Sequence, residues 1–186
     1  MDMYTIRWTR LQAEIFRFLC IKAGQSLNLR EIAKLLKRSP TAVSKSLQDM
    51  EKGGLVKVKK FGNINLLSIG FNRDNERAIE LKRVENLKLI YESGLAKFLE
   101  ESFPGTTILL FGSYSRGDDV WTDEETKSDI DIAVIGTKSK EIKLTEFNKR
   151  LERMIIINFY PSFKEIHKHL KDNILNGIVL SGSVDL

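Results

Sequence analysis

The amino-acid sequence predicts a mixed α/β fold of the α+β kind in two domains, and three observations support this prediction. Residues 1–70 show apolar residues at helical spacing followed by two short strand patterns. Residues 71–186 interleave strand-length apolar runs with helical stretches, which is typical of helices packed on a small sheet. The charge divides in the same way: residues 1–70 hold 13 Lys or Arg and 5 Asp or Glu, a net charge of +8, whereas residues 71–186 hold 17 and 20, a net charge of −3. A basic first domain is expected to face a polyanion.

The composition excludes several classes of protein. Hydrophobic residues make up 42% of the 186 residues, which is enough for a core. No apolar run approaches the roughly 20 residues of a membrane-spanning helix. Cys20 is the only cysteine, so an intrachain disulfide is excluded, and the residues after Met1 lack the pattern of a signal peptide. We therefore expect a cytoplasmic protein without a membrane partner.

Three helices and a hairpin are predicted in the first domain. Helices are expected over residues 9–23, 29–36 and 40–52, and strands over residues 55–60 and 64–69. Gly24 is typical of a residue just beyond a helix C-terminus, whereas Ser39 and Pro40 are typical of an N-cap and a first helical residue. Gly62 and Asn63 supply the turn of the hairpin.

Three helices closed by a β-hairpin form a winged helix-turn-helix, and residues 29–58 resemble the DNA-binding core of bacterial and archaeal winged-helix regulators. The segments that carry the resemblance are residues 31–36 (EIAKLL), 39–47 (SPTAVSKSL) and 51–56 (EKGGLV). The resemblance implies that the third helix enters the major groove of DNA. Because such regulators often bind paired half-sites, we expect a homodimer. A protein-interaction module or an RNA-binding module remains the alternative.

Candidate DNA contacts lie at the start of the third helix and on the wing. Side chains in the first turns of that helix would reach base edges, and the basic side chains suit phosphates. The alternative is that the same charges form a solvated face. The predicted contacts are Arg38, Ser39, Thr41, Ser44 and Lys45 near the third helix, and Lys59 and Lys60 on the wing.

The second domain is predicted to alternate helices with strands. Apolar spacing over residues 75–101 indicates one or two helices, with a break at Ser93 and Gly94. Further helices are predicted from Ser113 onward and over residues 144–152 and 164–176, and strands over residues 106–111, 127–135, 154–160 and 178–180.

The most informative segment joins a glycine-serine turn to two aspartates. Residues 111–117 read FGSYSRG and residues 128–132 read SDIDI. Gly112 permits a close backbone approach, Ser113 offers an amide and a hydroxyl, and Arg116 can pair with phosphate. Asp129 and Asp131 lie two residues apart in an apolar run, so they share one face of a strand. Two such carboxylates can hold a divalent cation together with nucleotide phosphates; alternatively, the first caps a turn and the second begins a polar strand face.

With this segment, residues 75–186 resemble the minimal nucleotidyltransferases of the DNA polymerase beta superfamily. The pattern of that family is an apolar strand, Gly-Ser, a short helix and then Asp-x-Asp in the next strand. The resemblance implies that Gly112 and Ser113 hold the triphosphate of a nucleotide and that Asp129 and Asp131 bind Mg²⁺. It also implies in-line transfer of a nucleoside monophosphate, with pyrophosphate leaving.

Two features depart from that family pattern. Between Ser113 and Asp129 lie 15 residues, more than is usual in the family. Their acidic part (residues 118–125) is expected to be a solvated loop; the alternative is a loop that touches substrate. Active members usually carry a third carboxylate on the following strand. The only polar residue central to that predicted strand is Asn158, whose amide can ligate a metal but cannot act as a base. Glu152, at the start of the strand, is a candidate substitute.

Three functional hypotheses follow. In the first, the protein binds DNA and is a Mg²⁺-dependent nucleotidyltransferase that moves a nucleoside monophosphate from a nucleoside triphosphate onto a hydroxyl of a small molecule or a partner protein. In the second, it is a transcription regulator whose degenerate C-terminal domain only binds nucleotide or a partner. In the third, it is an antitoxin-like protein that binds a toxin partner and regulates its own operon.

Overall fold

The fold is that of a computed structural model, which describes residues 8–61, 66–121 and 129–185. It is a mixed α/β structure whose contacts divide the chain into two compact units between Ala78 and Ile79. In the described ranges, the N-terminal unit holds three helices and a hairpin, and the C-terminal unit holds a four-stranded sheet with helices. The predicted fold class is therefore confirmed. The predicted domain limits, 1–70 and 71–186, remain a prediction about which segments fold as domains.

The N-terminal helices begin where the sequence supplies a capping side chain. They are α1 (Arg10–Ile21), α2 (Leu29–Leu35) and α3 (Pro40–Lys52). Side-chain oxygens of Thr9, Asn28 and Ser39 accept hydrogen bonds from backbone N–H groups of the first turns, which have no partner within the helix. The helices therefore start where the sequence predicts.

A hairpin closes the N-terminal unit. β1 (Val56–Phe61) pairs antiparallel with β2 (Leu66–Phe71), and the predicted turn between them lies outside the described residues. Leu27 exchanges backbone hydrogen bonds of 2.9 and 2.8 Å with Ile69, so the segment before α2 lies along β2. Buried side chains from the helices and the hairpin form the core of this winged helix-turn-helix, among them Ile15, Leu19, Ile32, Val43, Leu47 and Ile69.

A mixed sheet organises the C-terminal unit. The elements, of which α4 begins just before the division, are α4 (Glu76–Glu92), α5 (Leu95–Ser102), β3 (Thr107–Phe111), α6 (Gly112–Arg116), β4 (Ile130–Ile135), α7 (Thr145–Leu151), β5 (Ile155–Tyr160), α8 (Lys168–Leu175) and β6 (Ile178–Ser181). The strand order is β5-β4-β3-β6; β4 and β5 are parallel, and the other neighbours are antiparallel. The predicted break after α4 is confirmed, because Gly94 has a left-handed φ of 82° there.

The helix predicted over residues 164–176 is wrong as a single helix. A short 3-10 turn at Phe163–Glu165 precedes α8, and Ile166 between them is extended, with φ −81° and ψ 128°. Ile166 is buried in the same apolar cluster as Ile174 of α8. The break allows both short pieces to pack on the sheet. Residues 127–128 of the predicted second strand lie outside the described residues.

Both faces of the sheet are packed, and this decides where polar side chains can lie. Ile130 and Ile132 of β4 belong to one apolar cluster, whereas Ala133 and Ile135 belong to the cluster on the opposite face. Because side chains alternate along a strand, Asp131 shares the face of Ala133 and Ile135.

A buried ionic cluster connects the segment after α6 to α4 and to the start of β5. The Asp119 carboxylate accepts hydrogen bonds from Lys82 Nζ, from Asn86 Nδ2 at 2.7 Å and from Arg153 Nη2 at 3.0 Å. The side chains of Asp119 and Lys82 are 0% exposed, and that of Arg153 is 2% exposed. The prediction of a solvated loop is therefore wrong at Asp119; residues 122–125 of that stretch lie outside the described residues.

We expect Asp119→Ala to destabilise the C-terminal unit by about 3–5 kcal/mol, because it removes the carboxylate that neutralises two buried cations. Chemical denaturation followed by circular dichroism measures this loss. The matched control is Asp118→Ala, since the Asp118 carboxylate pairs with Arg116 at the surface and an exposed pair contributes about 0–1 kcal/mol. Equal losses in the two variants would contradict the structural role of the cluster.

Candidate functional site

The glycine-serine turn lies directly against the second aspartate. β3 ends at Phe111, and α6 begins at Gly112, whose φ is 75°. A methyl group built on Gly112 would overlap the carboxylate of Asp131. Both the left-handed backbone and this contact require glycine at position 112. The turn and the carboxylate are therefore parts of one site.

Strand pairing brings the aspartates to that turn. Asp131 is paired with Phe111 in the antiparallel register of β3 and β4, and Asp129 immediately precedes β4. Asp129 and Asp131 are both partly buried, and their two-residue spacing places them on one face. The structure thus places Gly112, Ser113, Asp129 and Asp131 at one end of the β3–β4 pair, and their role in nucleotide binding stays a prediction.

The two carboxyl groups are in an environment that disfavours negative charge. Burial raises the pKa of Asp129. Burial also raises the pKa of Asp131, the nearby charge of Asp129 raises it further, and the guanidinium of Arg116 opposes the shift. A bound cation would offset both burial and repulsion.

Arg116 is held at the edge of the site by two contacts. Its Nε lies 3.1 Å from Asp118 Oδ2, and its Nη1 donates to Asn173 Oδ1 of α8 at 3.2 Å. The Arg116 side chain is 49% exposed, so its guanidinium can also meet a phosphate. Ser113 contributes its backbone oxygen to Asp118 N at 3.0 Å, which fixes the end of the turn.

The strand next to the aspartates places isoleucine, not asparagine, beside Asp131. In the parallel register of β4 and β5, Asp131 is paired with Ile156 and Ala133 with Asn158. The Ile156 side chain is 39% exposed, and Asn158 lies two residues farther along the strand. Glu152 precedes β5 as the C-cap of α7. The sequence analysis singled out Asn158 because it is polar. The neighbour of Asp131, however, depends on the register in which β4 pairs with β5.

The donor set suits a hard divalent cation. Carboxylate oxygens are preferred ligands of Mg²⁺, which usually binds one or two carboxylates together with water and substrate phosphates. In the part of the chain that the structure describes, no group of three or more His, Cys, Asp or Glu side chains could hold a metal ion. Two aspartates with raised pKa values therefore fit a cation that nucleotide phosphates help to bind.

The predicted DNA contacts of the N-terminal unit lie around the start of α3. Ser39 Oγ accepts from Ala42 N at 3.2 Å, so this hydroxyl caps the helix. Thr41 and Lys45 are exposed, and Ser44 is partly buried. The structure thus leaves Thr41 and Lys45 accessible on the first turns of α3.

Arg38 has an acidic partner within the N-terminal unit. Its Nη2 lies 2.8 Å from Glu14 Oε2, and its Nε also donates to that carboxylate at 3.3 Å. Hydrogen bonds from Arg38 and then Arg10 lower the pKa of Glu14. A DNA phosphate would have to share or displace this contact. Lys59 and Lys60 are exposed neighbours on β1, so strand alternation directs them to opposite faces.

Comparison with known families finds a similarity in the C-terminal region. Residues 92–181 match the nucleotidyltransferase domain family. The matched region covers just under half of the chain and runs from the end of α4 to the end of β6. It includes the five predicted nucleotide-site residues Gly112, Ser113, Arg116, Asp129 and Asp131. A search of curated protein sequences gave no match.

Comparison with solved structures finds bacterial proteins that share low sequence identity with this chain. A mutant of ZitR from Lactococcus lactis shares 23% identity over 53% of this chain and 64% of its own, with a TM-score of 0.40. The adhesin competence repressor AdcR from Streptococcus pyogenes shares 18% identity over 56% of this chain and 72% of its own, with a TM-score of 0.41. ZitR is described as a zinc-responsive MarR family member. The chain thus spans 64% of the length of the first of these proteins, and at such TM-scores the likeness carries no functional argument.

None of the described helices is both long enough and apolar enough to cross a membrane.

We expect Asp131→Asn to raise the melting temperature of the metal-free protein at neutral pH by about 2–4 °C, the shift that about 1 kcal/mol causes in a chain of this size. Because burial raises the pKa of Asp131, the folded state holds its proton to higher pH than the unfolded state. Asp131 thus supports stability below its unfolded pKa and loses that contribution as pH rises through its folded pKa. Thermal unfolding with a chelator, repeated at decreasing pH, should show the advantage of the variant shrinking.

The matched control is Asp172→Asn, which removes a carboxylate from an exposed position on α8. A lower melting temperature for Asp131→Asn than for the unmodified protein, or the same gain in both variants, would show that the Asp131 carboxylate does not strain the fold.

Proposed function

We propose that the protein binds DNA through its N-terminal unit and that its C-terminal unit transfers a nucleoside monophosphate from a Mg²⁺-bound nucleoside triphosphate to a hydroxyl acceptor. The observation that supports this most directly is the contact between the Gly112 turn and the Asp131 carboxylate, within a region that matches the nucleotidyltransferase domain family. The contact places the backbone of Gly112, which has no side chain, beside the carboxylate of Asp131. Such an arrangement suits a triphosphate with its cation.

Each residue of the site has a role in this proposal. Gly112 lets the phosphates approach the backbone, Ser113 offers its hydroxyl and amide to them, and Arg116 pairs with their charge at the edge. Asp129 and Asp131 would hold Mg²⁺. When bound, the ion neutralises charge on the phosphates and orients the attacking hydroxyl.

In the proposed reaction, the acceptor hydroxyl releases its proton to solvent water as its oxygen forms a bond to the α-phosphorus of the nucleotide. The bond from that phosphorus to the bridging oxygen breaks, and pyrophosphate leaves in line with the attack. The chain contributes positioning: the turn would fix the phosphates, and Asp129 and Asp131 would fix the cation that the phosphates share. The acceptor, a small molecule or a partner protein, is left to experiment.

A second function, nucleotide binding without turnover, is favoured by one observation. Ile156 occupies the position beside Asp131 on β5, and isoleucine can neither ligate a cation nor take a proton. In this case the C-terminal unit would act as a nucleotide-sensing part of a transcription regulator, or would bind a protein partner such as a toxin.

We expect calorimetry to detect saturable binding of at least one of the four common nucleoside triphosphates with Mg²⁺, and Asp131→Ala to weaken it by about tenfold or more, since a ligating charge is lost. Asp172→Asn is the control and should bind like the unmodified protein. Incubation with an α-labelled triphosphate and cell extract then separates the two functions, because only the first predicts label on an acceptor.

Substitutions on β5 sharpen this test. If turnover is limited by the missing carboxylate, Ile156→Asp should raise label transfer, whereas Asn158→Asp, two residues farther along β5, should raise it less. Absence of triphosphate binding in every variant would refute both functions. Binding with no transfer, even in Ile156→Asp, would leave the nucleotide-binding function alone.

For the N-terminal unit, we expect affinity for duplex DNA to fall with rising salt concentration, because phosphate contacts release counterions. Lys45→Gln should weaken binding and reduce the slope of log affinity against log salt by about 1. Lys52→Gln, an equal charge change at the far end of α3, is the control. Fluorescence anisotropy measures the affinity for DNA and its dependence on salt. Light scattering of the complex checks the expected homodimer. A flat salt response, or equal effects of the two variants, would argue against DNA recognition by the start of α3.

A further inference from the structure

A basic cavity of about 250 Å³ lies within the N-terminal unit, on the face of the hairpin opposite its core. We call it the wing pocket and define it by Lys57 and Lys59 of β1, Ser68 of β2, Ser26, Arg73 and Asp74. It lies apart in sequence from Asp129 and Asp131, and of the predicted DNA contacts only Lys59, a phosphate contact on the wing, lines it. Three of its six defining side chains are cationic, and one is acidic.

The sequence keeps this pocket open by placing small residues opposite the lysines. In the hairpin register, Lys57 is paired with Gly70 and Lys59 with Ser68. A methyl group on Gly70 would lie 3.0 Å from the backbone oxygen of Gln25, so a larger side chain there would crowd the turn before α2. The pairing of Leu27 with Ile69 holds that turn along β2 as one wall of the pocket.

The basic side chains of the wing pocket already stabilise one anion, the carboxylate of Asp74. Lys57 Nζ is paired with the Asp74 carboxylate. The hydrogen bond from Lys57 lowers the pKa of Asp74 most, and the charges of Lys57, Arg73 and Lys59 lower it further. Three cations therefore act on one carboxylate, and the pocket as a whole keeps a surplus of positive charge.

Another anion could displace the Asp74 carboxylate from its contact with Lys57. Its side chain is 77% exposed, and its backbone N–H donates to Asn72 Oδ1 at 3.2 Å in the turn that leads to α4. Displacing an exposed carboxylate from an exposed lysine costs little, since such pairs contribute about 0–1 kcal/mol. A phosphate group carries more charge and more acceptor oxygens than a carboxylate, so it gains more from the same three cations.

We propose that the wing pocket binds the phosphate group of a small phosphorylated molecule, with Asp74 as a tethered competitor for the same cations. A concave site with hydroxyls of Ser26 and Ser68 at its wall suits a compact ligand, whereas a DNA backbone is met by side chains that protrude. This site needs no divalent cation. It would give the DNA-binding unit its own sensor of phosphorylated metabolites.

The test uses the full chain with Asp129→Asn and Asp131→Asn, in chelator and at low salt, so that the proposed nucleotide site does not contribute. Calorimetry with pyrophosphate and with a nucleoside monophosphate should show saturable binding, and the nucleoside without phosphate should show none. Adding Asp74→Asn should tighten binding about two- to fivefold, because one competing charge is removed. Adding Lys57→Gln and Arg73→Gln together should abolish it, whereas Lys52→Gln should leave it unchanged.

Each of the following results would overturn the proposal: no saturable binding of pyrophosphate even with Asp74→Asn; an equal loss with Lys52→Gln; or unchanged pyrophosphate binding when Lys57 and Arg73 are both replaced. A loss of duplex DNA affinity in the Lys57 and Arg73 variant, without any pyrophosphate binding, would reassign the pocket to the DNA backbone and so also overturn it. Because Asp74→Asn predicts a gain of affinity, the proposal does not depend on a variant that might unfold.

Discussion

The arrangement of the C-terminal unit depends on one close contact, that of the Gly112 backbone with the side chain of Asp131. It requires a glycine with a left-handed φ at the end of β3, and it requires β4 to pair with β3 in the register that sets Asp131 against Phe111. The first requirement is met locally by the sequence. The second is met by apolar packing on both faces of the sheet, because a shift of one residue would turn Asp131 toward the apolar cluster that holds Ile130 and Ile132.

The buried cluster around Asp119 supports the helix that follows this contact. Asn86 Nδ2 donates to the backbone oxygen of Tyr114 at 2.9 Å and to Asp119 as well, so α4 holds both α6 and the segment that follows it. Gly117 lies so close to α4 that a methyl group on it would be 2.7 Å from the backbone oxygen of Ile79. Rigid support of this kind is what a site needs if it is to hold phosphates in a fixed position.

Much of this structure follows from the sequence, and the parts that do not have physical reasons. Helix starts are predictable because caps such as Ser39 act locally, and the Gly-Ser and Asp-x-Asp elements are predictable because spacing fixes the shared face. The ionic cluster was not predictable, since Asp119 stands in an acidic stretch and its partners Lys82 and Arg153 are distant in sequence. Likewise, only strand pairing shows that Ile156 lies beside Asp131.

The position of β6 has a consequence for the order in which the chain acquires its structure during synthesis. β3 is paired on one side with β4 and on the other with β6, and Leu110 meets Ile178 across that second edge. The ribosome must therefore add the whole β4–α8 region before β3 can gain its last neighbour. The N-terminal unit, which ends at Ala78, has no such delay and is free to fold first. Until β6 emerges, one edge of β3 has unpaired backbone N–H and C=O groups, which another strand could pair with.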